Sequence, residues 1–321
     1  MTYRILITGG AGFIGLNLVE ELLKDENNYI LVFDNFYSSK KEDFQKSFLM
    51  HPRVEIITED VAGWYHLHLE RKKIHQIYHL ACPASPKFYQ KDPIKTLDTC
   101  YLGTKHMLDL AKTTGATLLF ASTSEVYGDP LEHPQREDYR GNVNPIGPRA
   151  NYDEGKRIGE TLCFEYHRQH GVNIRVARIF NTYGPRMRSD DGRVVSNFIV
   201  QALQGSKLTI YGDGSQTRSF CYVSDTVRGL IVLMNSSVIG PVNIGNPDEY
   251  TIRQLAEKIK VLIEKRTEHE ISFIYKDLPK DDPTRRKPVI DKAKSELHWK
   301  PEIDLNDGLE KTITYFQTYS G

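Results

Sequence analysis

The stretch from Tyr3 to Asp34 leaves the chain few folds to choose from. Tyr3 to Thr8 is an apolar run of strand length, and Gly9-Gly10-Ala11-Gly12-Phe13-Ile14-Gly15 follows directly. Leu16, Val19, Leu22 and Leu23 then recur at helical spacing, and a second apolar run, Tyr29 to Phe33, ends in Asp34. Strand, glycine turn, helix, strand and acid thus succeed one another in one unit. Gly10, Gly12 and Gly15 fit G-x-G-x-x-G, and the acid follows about 20 residues later, the pattern of a dinucleotide-binding fold. Glycines let the backbone approach a pyrophosphate, and the helix start offers unpaired N–H groups and a positive dipole end. Asp34 can accept hydrogen bonds from two ribose hydroxyls and would repel a 2′-phosphate, so the pattern reads NAD rather than NADP.

Lys+Arg and Asp+Glu both number 42 in 321 residues, which leaves no global field to favour nucleic acid or an anionic membrane. No apolar run reaches the roughly 18 residues of a membrane span, and the N-terminus lacks a signal-peptide pattern. Cys82, Cys100, Cys163 and Cys221 are scattered without C-x-x-C, which reads as reduced packing residues in the cytoplasm. The histidines show no ligand spacing; His66 and His68 read as solvated surface, and no metal is expected.

Strand and helix patterns alternate through the first half. Val54 to Ile57 and Ile77 to Ala81 read as strands, Pro93 to about Thr114 as a long helix, and Thr117 to Ser122 as a strand that runs into Thr123-Ser124-Glu125-Val126-Tyr127-Gly128. This alternation predicts an α/β fold with a doubly wound parallel Rossmann sheet. The polar stretch holding Asn35, Phe36 and Ser39 is placed to close over the adenosine ribose, and Asp60-Val61 to meet adenine. Leu80 and Ala81 fall at a strand's carboxyl end, where ligands bind in open sheets. The proline-rich residues 129–150 read as a loop held by its neighbours, before a helix from Asn151 to His170 and a strand to Ile179. Residues 1–180 are expected to bind NAD. Residues 181–321 are expected to form a smaller C-terminal α/β region that mainly binds substrate, interleaved with the first by crossovers.

Tyr152 and Lys156 lie four apart on the predicted helix and share a face. By themselves they describe an ordinary helix surface. With Thr123 at a strand end, they describe a phenol whose pKa an ammonium lowers, able to take a proton from a hydroxyl.

Gly-Gly-Ala-Gly-Phe-Ile-Gly, Thr-Ser-Glu-Val-Tyr-Gly and Tyr-x-x-x-Lys together resemble the extended short-chain dehydrogenase/reductase superfamily. Longer segments, among them His79 to Pro86, Tyr152 to Arg157, Ala177 to Arg186, Tyr211 to Phe220 and Arg285-Arg286-Lys287-Pro288, resemble the UDP-glucuronate decarboxylase (UDP-xylose synthase) family. The resemblance implies oxidation of the sugar C4 hydroxyl by bound NAD, loss of CO₂ from the resulting β-keto acid, protonation at C5, and reduction at C4 that regenerates the cofactor.

It further implies Tyr152 as the C4 base, Lys156 beside it, and Thr123 on the C4 oxygen. Ser124 and Glu125 would lie near the sugar carboxylate, whose repulsion by Glu125 would be relieved as CO₂ leaves. Arg286 would bind that carboxylate or protonate C5, although Arg285-Arg286-Lys287 alone reads as a solvated basic run. Gly9, Gly12, Phe13, Ile14, Gly15, Asp34, Leu80, Ala81 and Thr99 would join Tyr152 and Lys156 around NAD. Asn181, Arg186, Val195, Asn197, Tyr211, Gln216 and Arg218 would surround UDP, with Ser85 and Lys95 reaching the sugar acid. A homodimer through the two long helices is implied.

The sequence departs from the family at Cys100, where Asn is usual, and at Leu16-Asn17, where Ser-His is usual. A 4-epimerase or 4,6-dehydratase would share fold, NAD, Tyr152 and Lys156. Ser124 replaces the Asp of the dehydratases, epimerases usually lack an acid like Glu125, and neither would need an arginine for a sugar carboxylate. A non-catalytic NAD(H)-binding regulator would not need Tyr152, Lys156, Thr123 and Glu125 together. NAD is expected to bind and NADP to bind weaker by on the order of 10²-fold, since a phosphate would face Asp34. Fluorescence titration with both nucleotides checks this, and equal affinities would contradict it.

Overall fold

In the computed structural model, which describes residues 2–48, 50–63, 67–278 and 283–319, β1 (Tyr3–Thr8) is buried from Ile5 to Thr8. His66 and the side chain of His68 lie outside the described residues. A strand apolar on both faces belongs inside a parallel sheet covered by helices. α1 (Phe13–Leu22) starts at Gly12 and buries Leu16, Leu18, Val19 and Leu22. β2 (Asn28–Phe33), α2 (Lys41–Phe48), β3 (Val54–Ile57), α3 (Leu67–Glu70), β4 (Gln76–His79) and α4 (Pro86–Tyr89) follow.

The segment expected as one helix from Pro93 to Thr114 is helical but not uniform. α5 (Pro93–Asp98) passes through a π-helical turn, Thr99–Gly103, into α6 (Thr104–Thr114). Two contacts are seated at the wider turn. Gly103 lies against Val61, where a Cβ would come within 2.7 Å of Cγ2, and Thr104 Oγ1 meets His79 Nε2 at 3.1 Å. Such single π turns often mark functional sites.

β5 (Thr117–Thr123), α7 (Ala150–His170) and β6 (Ile174–Ile179) complete the alternating half. β7 (Thr182–Tyr183), α8 (Val194–Leu203), β8 (Leu208–Tyr211), β9 (Thr217–Ser219) and β10 (Cys221–Tyr222) come next. They lead to α9 (Val223–Asn235), β11 (Val242–Ile244), β12 (Glu249–Thr251) and α10 (Ile252–Glu264). The chain ends with β13 (Phe273–Lys276), β14 (Arg285–Arg286), α11 (Asp291–Leu297) and α12 (Leu305–Tyr319). α10 starts at Ile252 because Thr251 caps it: Gln254 N donates to Thr251 Oγ1 at 3.0 Å, and Thr251 N donates to Gln254 Oε1 at 2.8 Å.

The main sheet has seven parallel strands in the order β11-β6-β5-β4-β1-β2-β3. The order reverses between β1 and β4, and their carboxyl ends open there into a crevice. α9 returns to the sheet, where Val227, Leu230 and Leu233 pack with Leu16 and Val19 of α1. Met107 and Leu108 of α6 pack with Cys163 of α7 on the other face. A second core joins α8, α10 and α12 through Phe198, Ile259 and Ile313. Among the described residues, no helix is long and apolar enough to cross a membrane.

The loop over residues 129–150 is held by backbone bridges Gly128–Asn142 and Gln135–Pro288. Beneath it runs a buried polar network. Arg178 donates to Glu160 at 2.8 Å and to Tyr127 Oη at 3.0 Å, and Tyr127 donates to Asn243 Oδ1 at 2.8 Å. α7 reaches β5 closely because residue 159 has no side chain: a Cβ on Gly159 would fall 2.3 Å from Phe120 Cζ. Alanine would gain about 1 kcal/mol of helix propensity, yet overpacking a filled core costs about 1–3 kcal/mol. Gly159→Ala is therefore expected to lower the denaturant midpoint, and an unchanged or raised midpoint would contradict this packing.

Candidate active site

A cleft of about 710 Å³ opens over the carboxyl ends of β1, β4 and β5. Its floor is the glycine turn. Gly9 has φ +69°, and a Cβ there would fall 2.9 Å from the Ala81 backbone; a Cβ on Gly15 would fall 2.4 Å from Gly9 O. A backbone this bare, at the start of α1, fits a pyrophosphate. Asp34 closes the far side, 8% exposed. Its carboxylate accepts from Ala11 N at 3.0 Å, Phe36 N at 2.8 Å and Ser39 Oγ at 3.0 Å. Burial raises its pKa, and these three bonds offset part of that rise. A carboxylate has about four acceptor positions, so room for a ribose hydroxyl is left. The donor set and the bare cradle therefore fit NAD.

Gly12, Phe13, Ile14, Asn35, Ser39, Asp60, Val61, Leu80, Ala81 and Thr99 line the same cleft. Phe36 does not line it: its ring turns to Phe44, centroids 6.4 Å apart. Asn17, a departure from the family pattern, donates to Phe13 O at 2.8 Å and Pro185 O at 3.2 Å.

The first turns of α7 bring Tyr152 and Lys156 to the end of β5. Tyr152 is 6% exposed, and its ring stacks on Tyr89 with centroids 5.0 Å apart. Its phenol is in hydrogen-bond contact with the Thr123 hydroxyl. Lys156 Nζ lies 5.9 Å from the Tyr152 ring centroid and donates to Ala121 O at 2.8 Å. The expected lowering of the phenol pKa is not found here. Burial holds it well above the usual value, Cys82 and Glu125 add to the rise, and only the Thr123 bond opposes it.

Glu125 is held by two arginines. Arg286 NH1 donates to one carboxylate oxygen, and Arg149 NH2 donates to the other at 2.5 Å. Burial would raise its pKa, but the charges of Arg286 and Arg149, and Arg218 after them, bring it down to about 2. The repulsion expected between Glu125 and a sugar carboxylate is therefore outweighed, because three guanidiniums surround one carboxylate. Arg286 was expected at the substrate. It is instead 1% exposed, behind Glu125 rather than in the cleft wall, and its NH2 donates to Gly128 O at 2.9 Å. Of the basic run, Arg285 is exposed and Lys287 half-buried, while the pairing of β14 with β9 sets the buried Arg286 beside Arg218.

Ser85, Ser124, Asn181, Arg186, Val195, Asn197, Tyr211, Gln216 and Arg218 all line the cleft. Several are already engaged. Ser85 Oγ donates to Asp191 O at 2.5 Å, and Arg186 reaches Glu20 at 3.0 Å and Ser47 at 2.7 Å. Lys95 lines the cleft and donates to Asp60 at 2.5 Å, above the Tyr37 ring. Sequence reasoning missed Arg149, and it missed Arg193, which lines the cleft, binds Asp191 Oδ2 at 2.9 Å and lies over the Phe13 ring. It also missed Asp153, whose pKa burial and Glu125 push up to about 7. Only Arg193 carried a local signal, from its place beside Val195 and Asn197.

The family described as GDP-mannose 4,6 dehydratase matches residues 6–312. UDP-glucuronic acid decarboxylase 3 of Arabidopsis thaliana is 57% identical over 95% of the chain and 86% of its own length. UDP-glucuronic acid decarboxylase 1 of Xenopus tropicalis is 56% identical over 98% of the chain and 72% of its own. Among solved structures, UDP-glucuronic acid 4-epimerase of Bacillus cereus, in complex with UDP-glucuronic acid and NAD, is similar with a TM-score of 0.87 at 30% identity over 98% of this chain and 99% of that one. An epimerase that holds UDP-glucuronic acid corrects one expectation: a sugar carboxylate does not by itself separate epimerases from decarboxylases.

Because folding lowers the Glu125 pKa from 4.5 to about 2, its ion pairs contribute fully above pH 4.5 and the contribution is lost as pH falls towards 2. Glu125→Gln is expected to flatten stability against pH in that window. A variant as acid-sensitive as the parent between pH 4.5 and 2 would contradict the lowered pKa.

Proposed function

The chain belongs to the UDP-glucuronic acid decarboxylases of the extended short-chain dehydrogenase/reductase superfamily, and we propose that it decarboxylates UDP-glucuronate to UDP-xylose with NAD regenerated in every cycle. The observation that carries this reading is Glu125 ringed by Arg149, Arg218 and Arg286, beside Tyr152, in the cleft that holds the glycine turn. One carboxylate among three guanidiniums leaves a net positive pocket for a sugar acid and a diphosphate.

NAD bound there supplies the oxidation of the C4 hydroxyl, its reversal, and a positive charge that favours the Tyr152 phenolate. Tyr152 takes the hydroxyl proton, Thr123 steadies the C4 oxygen, and Lys156 keeps the β5 end and the helix face aligned through Ala121 O. With a ketone at C4 the sugar is a β-keto acid, and CO₂ leaves as the ketone oxygen accepts the electrons. Arg149 and Arg218, which line the cleft, hold the carboxylate and diphosphate, while Arg286 acts through Glu125. Glu125 is ionised at neutral pH and a guanidinium rarely gives up a proton, so the C5 proton comes from solvent.

In this reading residues 1–180 chiefly hold NAD and residues 181–321 chiefly hold the nucleotide sugar. The chain forms a homodimer through α5–α6 and α7, whose Ile94, Tyr101 and Ile158 are exposed apolar side chains. Four free cysteines suit the reducing cytoplasm as its compartment. The second reading is a 4-epimerase acting on UDP-glucuronate, favoured by the likeness to the Bacillus cereus enzyme.

Incubation with UDP-glucuronate is expected to release CO₂ and give a UDP-pentose without stoichiometric NAD. A product of unchanged mass would mean the epimerase. Tyr152→Phe is expected to lower kcat by on the order of 10²–10⁴-fold with UDP-sugar binding kept, and a parental kcat would remove Tyr152 as the base.

A further inference from the structure

Cys82 and Cys100 meet at the edge of the cleft, one lining it and the other buried behind. Cys82 follows Leu80 and Ala81 in the loop after β4 and lines the cleft, whereas Cys100 sits in the π-helical turn, 2% exposed. Their Sγ atoms are 2.9 Å apart. Cys100 also touches α7, since a Cβ on Gly155 would fall 3.0 Å from its Sγ. The two thiols thus stand between the loop at the carboxyl end of β4 and the helix that carries Tyr152 and Lys156.

We propose that Cys82 and Cys100 form a reversible redox site, in which a peroxide or a small-molecule disulfide joins them and slows turnover. The effect on turnover rests on the decarboxylase reading; the formation of the bond does not. An oxidant enters through the cleft and meets Cys82 first. Burial works against its thiolate, but the hydrogen bond from Cys100 and the charge of Lys156 more than offset this and lower its pKa, whereas Cys100 is raised. Cys82 is therefore the attacking thiol and Cys100 the resolving one. With hydrogen peroxide, the Cys82 thiolate attacks one oxygen, breaks the O–O bond and releases hydroxide, which leaves as water. Cys100 then attacks the sulfenic sulfur, the S–O bond breaks and a second water leaves. Two thiols lose two electrons and the peroxide gains them; with oxidised glutathione, the Cys82 thiolate attacks one sulfur and releases a glutathione thiolate, and Cys100 then attacks Cys82 Sγ and releases the second.

The closed bond is about 2.05 Å long, so the sulfurs must approach from 2.9 Å by somewhat under 1 Å. That movement draws the loop holding Leu80, Ala81 and Ser85 against α5–α6 and α7. Displacements near 1 Å in a positioned site can cost on the order of 10²-fold in rate.

The test uses the full chain, treated with hydrogen peroxide or oxidised glutathione and then freed of oxidant. Thiols are counted in denaturant, peptides are mapped, and CO₂ release and NAD affinity are measured before and after dithiothreitol. The expected result is loss of two of the four thiols, a Cys82–Cys100 cross-link within one chain, and a 10- to 100-fold fall in turnover, all reversed by dithiothreitol. Cys100→Ser is expected to form no cross-link: its Cys82 stops at the sulfenic acid, which dithiothreitol still reduces, or goes on to sulfinic acid, which it does not. Absence of the cross-link, or a cross-link with unchanged turnover, overturns the proposal. If the reduced enzyme releases no CO₂, the decarboxylase reading falls by itself; the redox site then stands on a cross-link that weakens NAD binding, and falls if affinity is unchanged.

Discussion

The ion pair between Glu125 and Arg286 joins residues 161 apart in sequence, and the substrate half of the cleft is assembled around it. Replacing a buried pair with apolar groups is often neutral or stabilising, so its value here is one of position. Arg286 cannot reach Glu125 unless β14 lies along β9, which also brings Arg218 to the site. β14 in turn leads into Pro288, bridged to Gln135 in the loop over residues 129–150. That loop ends at Arg149, the second partner of Glu125. One carboxylate at a strand end thereby fixes three separate segments of chain.

The cofactor half is built differently. Its parts are local: a glycine turn, one helix start and one acid, all within the first two strands. The two halves meet where β5 ends, because Thr123 and Glu125 are neighbours in sequence while facing Tyr152 and the guanidiniums respectively. In the proposed reading, a proton-transfer group and a carboxylate pocket are thus held at a fixed spacing by a single turn of backbone. The thiol pair lies on the other side of the same junction, between the β4 loop and α7.

Much of this was legible in the sequence, for reasons that differ by residue. The doubly wound parallel sheet rests on strand and helix periods that a single chain displays openly, though not its strand order, and Gly10, Gly12, Gly15 and Asp34 are set by spacing within one unit. Tyr152 and Lys156 share a helix face by arithmetic. Arg149 was not legible, because residues 129–150 have no period and their shape comes from Gln135, Asn142 and Arg157 contacts elsewhere. Spacing says nothing of which way a long side chain turns, and Lys95, expected at the sugar acid, donates to Asp60. The direction of the Tyr152 pKa was misjudged for a related reason: Lys156 is visible in sequence, but the burial that outweighs it is not. The π-helical turn was read as plain helix because the Gly103–Val61 contact is tertiary.

In the proposed cycle Tyr152 serves C4 while the positive pocket around Glu125 removes CO₂ at C5, with the replacement proton drawn from solvent. Turnover of UDP-glucuronate in deuterium oxide, followed by NMR of the product, tests it most directly. The expected product is a UDP-pentose with one deuterium at C5 and the original hydrogen kept at C4. A six-carbon UDP-sugar acid, or a UDP-pentose without deuterium at C5, would contradict it.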